Sequence, residues 1–210
     1  MEHVHEENRN GLIIRIIHDS DMQDSPDDWG DDSLFLVHYH REFEIRRDKI
    51  VTKNEIAEWY RRGPDDAEQD IEKDYFLFPV AAYIHSGVVL SLGDGRGFPD
   101  FQWDVSHVGA VLASRKEFTA TEDARRAAEA LVKTWNDCLS GNVYGFEIQD
   151  STGRDIESCW GFYGDYNADG GALSEARSIV DHVTNKGKTD ASGQILFPFA
   201  PELQTVPAVK

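Results

Sequence analysis

The chain has 210 residues, of which 40% are hydrophobic, enough for a sizeable core in one domain. Acidic residues number 39 against 21 basic, a formal charge of -18, which repels nucleic-acid backbones and anionic membranes and favours basic proteins or cations. No stretch approaches the roughly 18 apolar residues of a membrane span. The polar, acidic start MEHVHEENRN is unlike a signal peptide, and two cysteines without a CxxC, Cys138 and Cys159, predict free, buried thiols in a reducing cytosol.

Residues 1–10 carry no apolar periodicity and read as a loose end. Leu12 to Ile17 is apolar and reads as a strand. Residues 19–32 hold seven aspartates, a proline and a glycine with almost nothing to bury, which predicts an acidic loop. SLFLVHYHREFEI, residues 33–45, reads as a strand with His38 and His40 on one face. Thr52 with Glu55 three residues on forms a capping box for a short helix that Gly63-Pro64 ends. A second acidic run, DDAEQDIEKD, occupies residues 65–74.

Residues 75–92 are the longest apolar region, broken for a helix by Pro79. They read as strands over 80–84 and 88–92, joined at His85-Ser86-Gly87. GDGRGFPDF follows as a loop, then Trp103-Asp104 and a strand over 108–113. Thr119 with Glu122 predicts a second capping box. It opens the longest helix, whose apolar stripe runs from Ala124 to Leu139 and stops at Gly141. Gly141 to Asp165 reads as a hairpin. Tyr144, Phe146 and Ile148 alternate with smaller or polar residues, Asp150 to Arg154 makes the turn, and Trp160 is expected to pack the core. A shorter helix covers 173–183. Residues 185–210 read as a polar linker and tail that docks through 195–199. The expected fold is α+β: one domain over 1–184, a mainly antiparallel sheet with one long and two shorter helices packed on it.

Two constellations are candidates for a metal. Asp165, Asn167 and Asp169, followed by Gly170, match the first half of a calcium loop, but position 12 is Ala176 and the bidentate carboxylate is missing. His38, His40, His85 and His107 with Asp104 could gather around a transition metal in a metal-dependent enzyme, although no fixed ligand spacing supports it. Ser86 lacks a nucleophile elbow, and GDGRG lacks the lysine of a phosphate-binding loop. No set of residues meets the requirements of a catalytic site. The favoured reading is a non-enzymatic protein with no cofactor.

His85-Ser86-Gly87, Trp103-Asp104 with Gly109, Val143-Tyr144-Gly145-Phe146 and SCWGFYG (residues 158–164) together resemble a family of proteins of unassigned activity encoded by bacteriophages and other mobile elements. The resemblance covers residues 34–165, and SCWGFYG is its most specific part. It implies a phage or plasmid accessory protein in a bacterial cytosol and brings no catalytic residues. The acidic runs then suggest the contact surface: Asp24, Asp27, Asp28, Asp31, Asp32, Asp65, Asp66, Glu68 and Asp70, meeting a basic host or phage protein in the manner of a DNA mimic. Direct nucleic-acid or membrane binding is not expected.

Overall fold

A computed structural model describes residues 2–20, 26, 33–38, 51–63, 71–99 and 103–186. In chain order the elements are β1 (His3–Arg9), β2 (Leu12–His18), β3 (Leu34–His38), α1 (Lys53–Arg62), α2 (Ile71–Asp74), β4 (Tyr75–Ile84), β5 (Val88–Leu92), β6 (Val105–Ser114), α3 (Thr121–Leu139), β7 (Val143–Gln149), β8 (Asp155–Tyr163) and α4 (Ala172–Lys186). The class is α+β, as the sequence predicts. Instead of one sheet there are two, ordered β1-β2-β7-β8 (sheet A) and β3-β6-β4-β5 (sheet B). A four-residue helix, α2, joins the three expected. Sequence alone treats 1–184 as one body. By its internal contacts the chain divides into two compact units, residues 19–143 and the segments on either side of them, each with one sheet. The proposed docking segment 195–199 lies outside the described residues.

Sheet B is covered by helices on both faces. Leu36, Phe78, Val80, Val111 and Ala113 pack with Ala124, Ala128, Leu131, Val132 and Trp135 of α3. Phe35, Val37, Ala110 and Leu112 pack with Ile56 and Trp59 of α1. Its second strand, β6, therefore runs as an unbroken buried stretch from Val108 to Ser114, the pattern of a strand with no solvent face. The α1 capping box forms as predicted: the Thr52 side chain accepts from the Glu55 N–H, and the Glu55 carboxylate accepts from the Thr52 N–H. The one expected at Thr119 does not form. Helix α3 starts at Thr121 behind Ala120, which has no side-chain acceptor to offer, so Thr119 sits one residue too early to cap it.

A bulge interrupts the β4–β6 ladder, with Val80 opposite Gly109 and Ala81 opposite His107, so that Val108 is the extra residue. The Tyr60 hydroxyl of α1 bridges it, donating to the Gly109 carbonyl at 2.6 Å and accepting from the Val80 N–H at 3.2 Å. A Cβ at Gly109 would overlap the Val37 carbonyl and His38, so this position requires glycine for space. At the far edge, the Asn136 amide of α3 accepts from the Leu90 N–H at 2.7 Å and donates to the Leu90 carbonyl at 2.9 Å. It acts as a substitute strand for β5.

Sheet A holds α4 against one face. Leu12, Ile14, Ile16, Tyr144, Phe146 and Ile148 meet Ala172, Leu173, Ala176, Val180 and Val183. Residues 3–9, expected as a loose end, form β1, turned onto β2 by Asn10-Gly11 with positive φ at both residues (53° and 83°). β1 contributes nothing to the apolar core. Beyond its backbone ladder with β2 it is fastened to α4 by charge: Glu7 accepts both arms of Arg177 at 2.8 and 2.6 Å, and Arg9 donates twice to Asp181 at 2.7 Å.

Trp160 departs from its expected core position. It is 38% exposed, and its ring lies where a Cβ of Gly145 would be. Gly145 points away from Phe146, whereas Phe162, two residues beyond Trp160, packs on Phe146 at 5.7 Å between ring centroids. In a regular strand residues 160 and 162 would share a face. Gly161, at φ 83°, supplies the irregularity that separates them. Cys159, in the same strand, is exposed and Cys138 half-buried, which corrects the expectation of two buried thiols.

Candidate functional site

Asp24, Asp27, Asp28, Asp31, Asp32, Asp65, Asp66, Glu68 and Asp70 lie outside the described residues, as does His40. The structure does describe where the acidic runs enter the fold. The first run ends at Ser33, whose carbonyl accepts from the Ser114 N–H at 2.7 Å. The second ends at Asp74, whose carbonyl accepts from the Arg115 N–H at 2.9 Å. Ser114 and Arg115 are successive residues at the end of β6. Two strand spacings, about 10 Å, separate the flanking strands β3 and β4. Both runs therefore join the body at one end of sheet B. The second run is fastened further by the Trp59 indole, which donates to the Glu72 carboxylate at 2.7 Å. The Arg115 guanidinium donates to the Glu72 carbonyl at 2.8 Å and lies over the Phe76 ring at 3.8 Å.

Several cations elsewhere in the described residues are held by carboxylates of the chain. Arg61 and Arg62 both hold Glu58, Arg96 holds Asp94, Arg126 holds Asp123, Lys133 holds Asp137 and Arg154 holds Asp150. Arg61 first, then Arg62, lowers the Glu58 carboxyl to about 2. Asp150 is lowered to about 2 by the Thr152 hydroxyl and then the Arg154 N–H. Glu117, Glu122, Glu129 and Glu157 stand exposed.

Among the described residues the histidine set does not converge. His38 is buried on the α3 face of sheet B, packed over Gly109, while His107 lies exposed on the α1 face beside Tyr60 at 5.3 Å. His85 is at the exposed β4–β5 turn, and Asp104 uses its carbonyl to pair with the Ile84 N–H. Asp165, Asn167 and Asp169 form the turn before α4. The Asp165 carboxylate accepts from the Asn167 N–H at 2.9 Å, and the Asp165 carbonyl accepts from the Ala168 N–H. Among the described residues no three His, Cys, Asp or Glu side chains gather into a set suited to a metal ion. No helix among them is long and apolar enough to cross a membrane.

Sequence reasoning misses a cluster at the opposite end of sheet B from Ser114. Tyr83 pairs with Val89 on one side and Val105 on the other. Its ring lies nearly parallel to those of Phe98 (5.5 Å, 21°) and His85 (6.3 Å, 16°). Trp103, two residues before β6, is 84% exposed. The loop that presents Phe98 is tied down at Gly95. This glycine has φ 72° and sits where a Cβ would meet Val105 and Ala81 at 2.6 and 2.9 Å, and its carbonyl accepts from the Phe98 N–H. A glycine-rich stretch closed by three aromatic residues, GFPDFQW, is the available signal for such a cluster.

No protein-family model matches the chain, and no curated protein or solved structure does.

Proposed function

We propose that the chain is a non-enzymatic, acidic accessory protein of a phage or mobile element. It would act in a bacterial cytosol on a basic, normally nucleic-acid-binding surface of a host or defence protein. The observation that carries this reading is that the C-terminal ends of both acidic runs, at Ser33 and Asp74, bond to successive residues of one strand end, Ser114 and Arg115. Carboxylates carried on runs with such neighbouring attachments would meet Lys and Arg of a partner as a field. Such a field speeds encounter more than it deepens affinity. The resemblance of the SCWGFYG run to mobile-element proteins supplies the setting.

The test takes the partner captured from host lysate, identified and purified, and measures its association rate against salt. Exposed charges are screened beyond roughly 8 Å at physiological ionic strength, so the rate should fall steeply as salt rises. Changing Asp24, Asp27, Asp28, Asp31 and Asp32 to Asn should slow association at low salt by about tenfold while leaving the circular dichroism and melting of the chain unchanged. An unchanged low-salt rate, or a partner whose contact surface is not basic, removes the reading.

A further inference from the structure

The two sheets have four outer strands, and three of them are protected. β1 is tied to α4 by two ion pairs, the outward N–H and carbonyl of Leu90 in β5 are taken by Asn136, and β3 is buried from Phe35 to His38. β8 is the fourth, and among the described residues no strand lies beyond it. Glu157, Ser158, Cys159 and Trp160 are exposed in succession. The Ser158 N–H bonds to the carboxylate of its neighbour Glu157 at 3.3 Å, and the Cys159 thiol to the Trp160 carbonyl at 3.9 Å. These are local contacts that an added strand can replace. β8 carries no proline and no lysine, the residues that commonly blunt a strand edge. Such an edge takes up an extended segment of another protein through main-chain bonds.

The occupant follows from the two faces of β8. Gln149, which alternates with the α4-facing Ile148, donates to the Asp155 carboxylate at 2.7 Å, so Asp155 stands on the face turned from α4. Glu157 follows it there by alternation, and Glu147 stands on the same face one strand in. On the other face Ile156 is half-buried at the rim of the α4 core. Gly161, at φ 83°, ends the regular stretch, so pairing covers Asp155 to Trp160. A neighbouring strand sets its side chains beside these, face for face. The segment that fits therefore has basic residues on one face, beside Asp155 and Glu157, and apolar residues on the other, extending the core past Ile156. A second copy of the chain would bring its own charge of -18 against the same carboxylates. We infer that the edge of β8 is a strand-addition site for an extended segment of a partner protein, basic on one face and apolar on the other. This rests on the basic-partner reading and names the element of the partner that is held.

A fluorescein-labelled peptide of alternating lysine and valine, titrated by anisotropy into the full chain, is the probe. It should bind and should slow amide exchange in β8 while leaving β1 unchanged. Two further versions carry N-methyl groups, one at every lysine and the other at every valine. One of them should lose about tenfold or more in affinity and the other should keep it, because only alternate main-chain groups of an added strand face β8. Glu157→Lys should weaken the lysine–valine peptide by about three- to ten-fold, and a glutamate–valine peptide should bind that variant more tightly than it binds the unmodified chain. Equal affinities of the two methylated peptides, or unchanged exchange in β8, overturn strand addition. They leave the acidic-partner reading standing, since the aspartate-to-asparagine changes and the captured partner test it separately. Glutamate–valine binding to the unmodified chain as tightly as lysine–valine overturns the choice of a basic segment. A mass by light scattering that doubles with concentration, with the same protection of β8, assigns the edge to a second copy and overturns the inference.

Discussion

Sheet B and sheet A differ in what holds their strands. In sheet B, β6 is buried on both faces between α1 and α3, and even its bulge is filled by a tyrosine hydroxyl. In sheet A, the outermost strand β1 adds no side chain to the apolar core and is fastened to α4 by two doubly bonded ion pairs. One arrangement draws on area removed from water, which salt does not weaken. The other draws on charges at the protein surface, which salt screens. The same backbone geometry can thus be rigid in one sheet and conditional in the other.

The comparison is sharpest at β6. Leu112→Ala removes a fully buried side chain and should destabilise by about 2–5 kcal/mol in urea unfolding. A loss under about 1 kcal/mol would mean that α1 does not seal this face. Trp160→Ala in β8 should cost about 1–2 kcal/mol, because the indole is partly exposed and covers only the backbone at Gly145. A cost as large as that of Leu112→Ala would place it back among the core residues. Smaller again is Arg177→Gln, expected to cost under about 1 kcal/mol. Its signature is local: amide exchange in β1 should quicken, and raising salt on the unmodified chain should reproduce that effect while leaving β7 amides unchanged. Equal salt response in β1 and β7 would erase the distinction between the strands.

The smallest effect is a titration. Asp150 holds its turn through three donors, Thr152 Oγ1 at 2.6 Å, the Thr152 N–H at 2.9 Å and the Arg154 N–H at 3.1 Å. Its folded-state carboxyl is depressed to about 2 from an unfolded value near 3.9. The stabilisation is therefore present above about pH 4 and disappears as pH falls through about 2. Carboxyl chemical shifts followed by NMR should give a midpoint near 2 for Asp150. A midpoint near 4 would show that the turn bonds do not favour the charged form.

Much of this was legible in residue pattern. The alternation of Tyr144, Phe146 and Ile148, the stripe of α3 and the Thr52–Glu55 box all came through because each expresses a local periodicity or cap. β1 did not, since His3-Val4-His5-Glu6-Glu7-Asn8-Arg9 has no apolar alternation and its partners Arg177 and Asp181 lie far along the chain. The Asn10-Gly11 turn was the one local clue. The division into two sheets was hidden for the same reason: β2 pairs with β7 across the whole of residues 19–143, and period-two patterns carry no label for their sheet. At the aromatic end, Trp103 and Tyr83 are individually ordinary. Only the fold shows that Phe98 and His85 lie against the Tyr83 ring.

The pairing of β2 with β7 sets a timetable for the newborn chain. The β1–β2 hairpin leaves the ribosome first, yet its apolar side, Leu12, Ile14 and Ile16, has no mate until residues 143–149 and α4 have been made. At ordinary synthesis rates that interval is roughly ten seconds. Throughout it the intervening segment can complete its own sheet, since every strand of sheet B lies within residues 19–143. The Asp19 N–H and the Val143 carbonyl, at the two ends of the inserted segment, are joined by a backbone bond of 2.9 Å. The order of synthesis thus gives the inserted segment time to fold before sheet A can close.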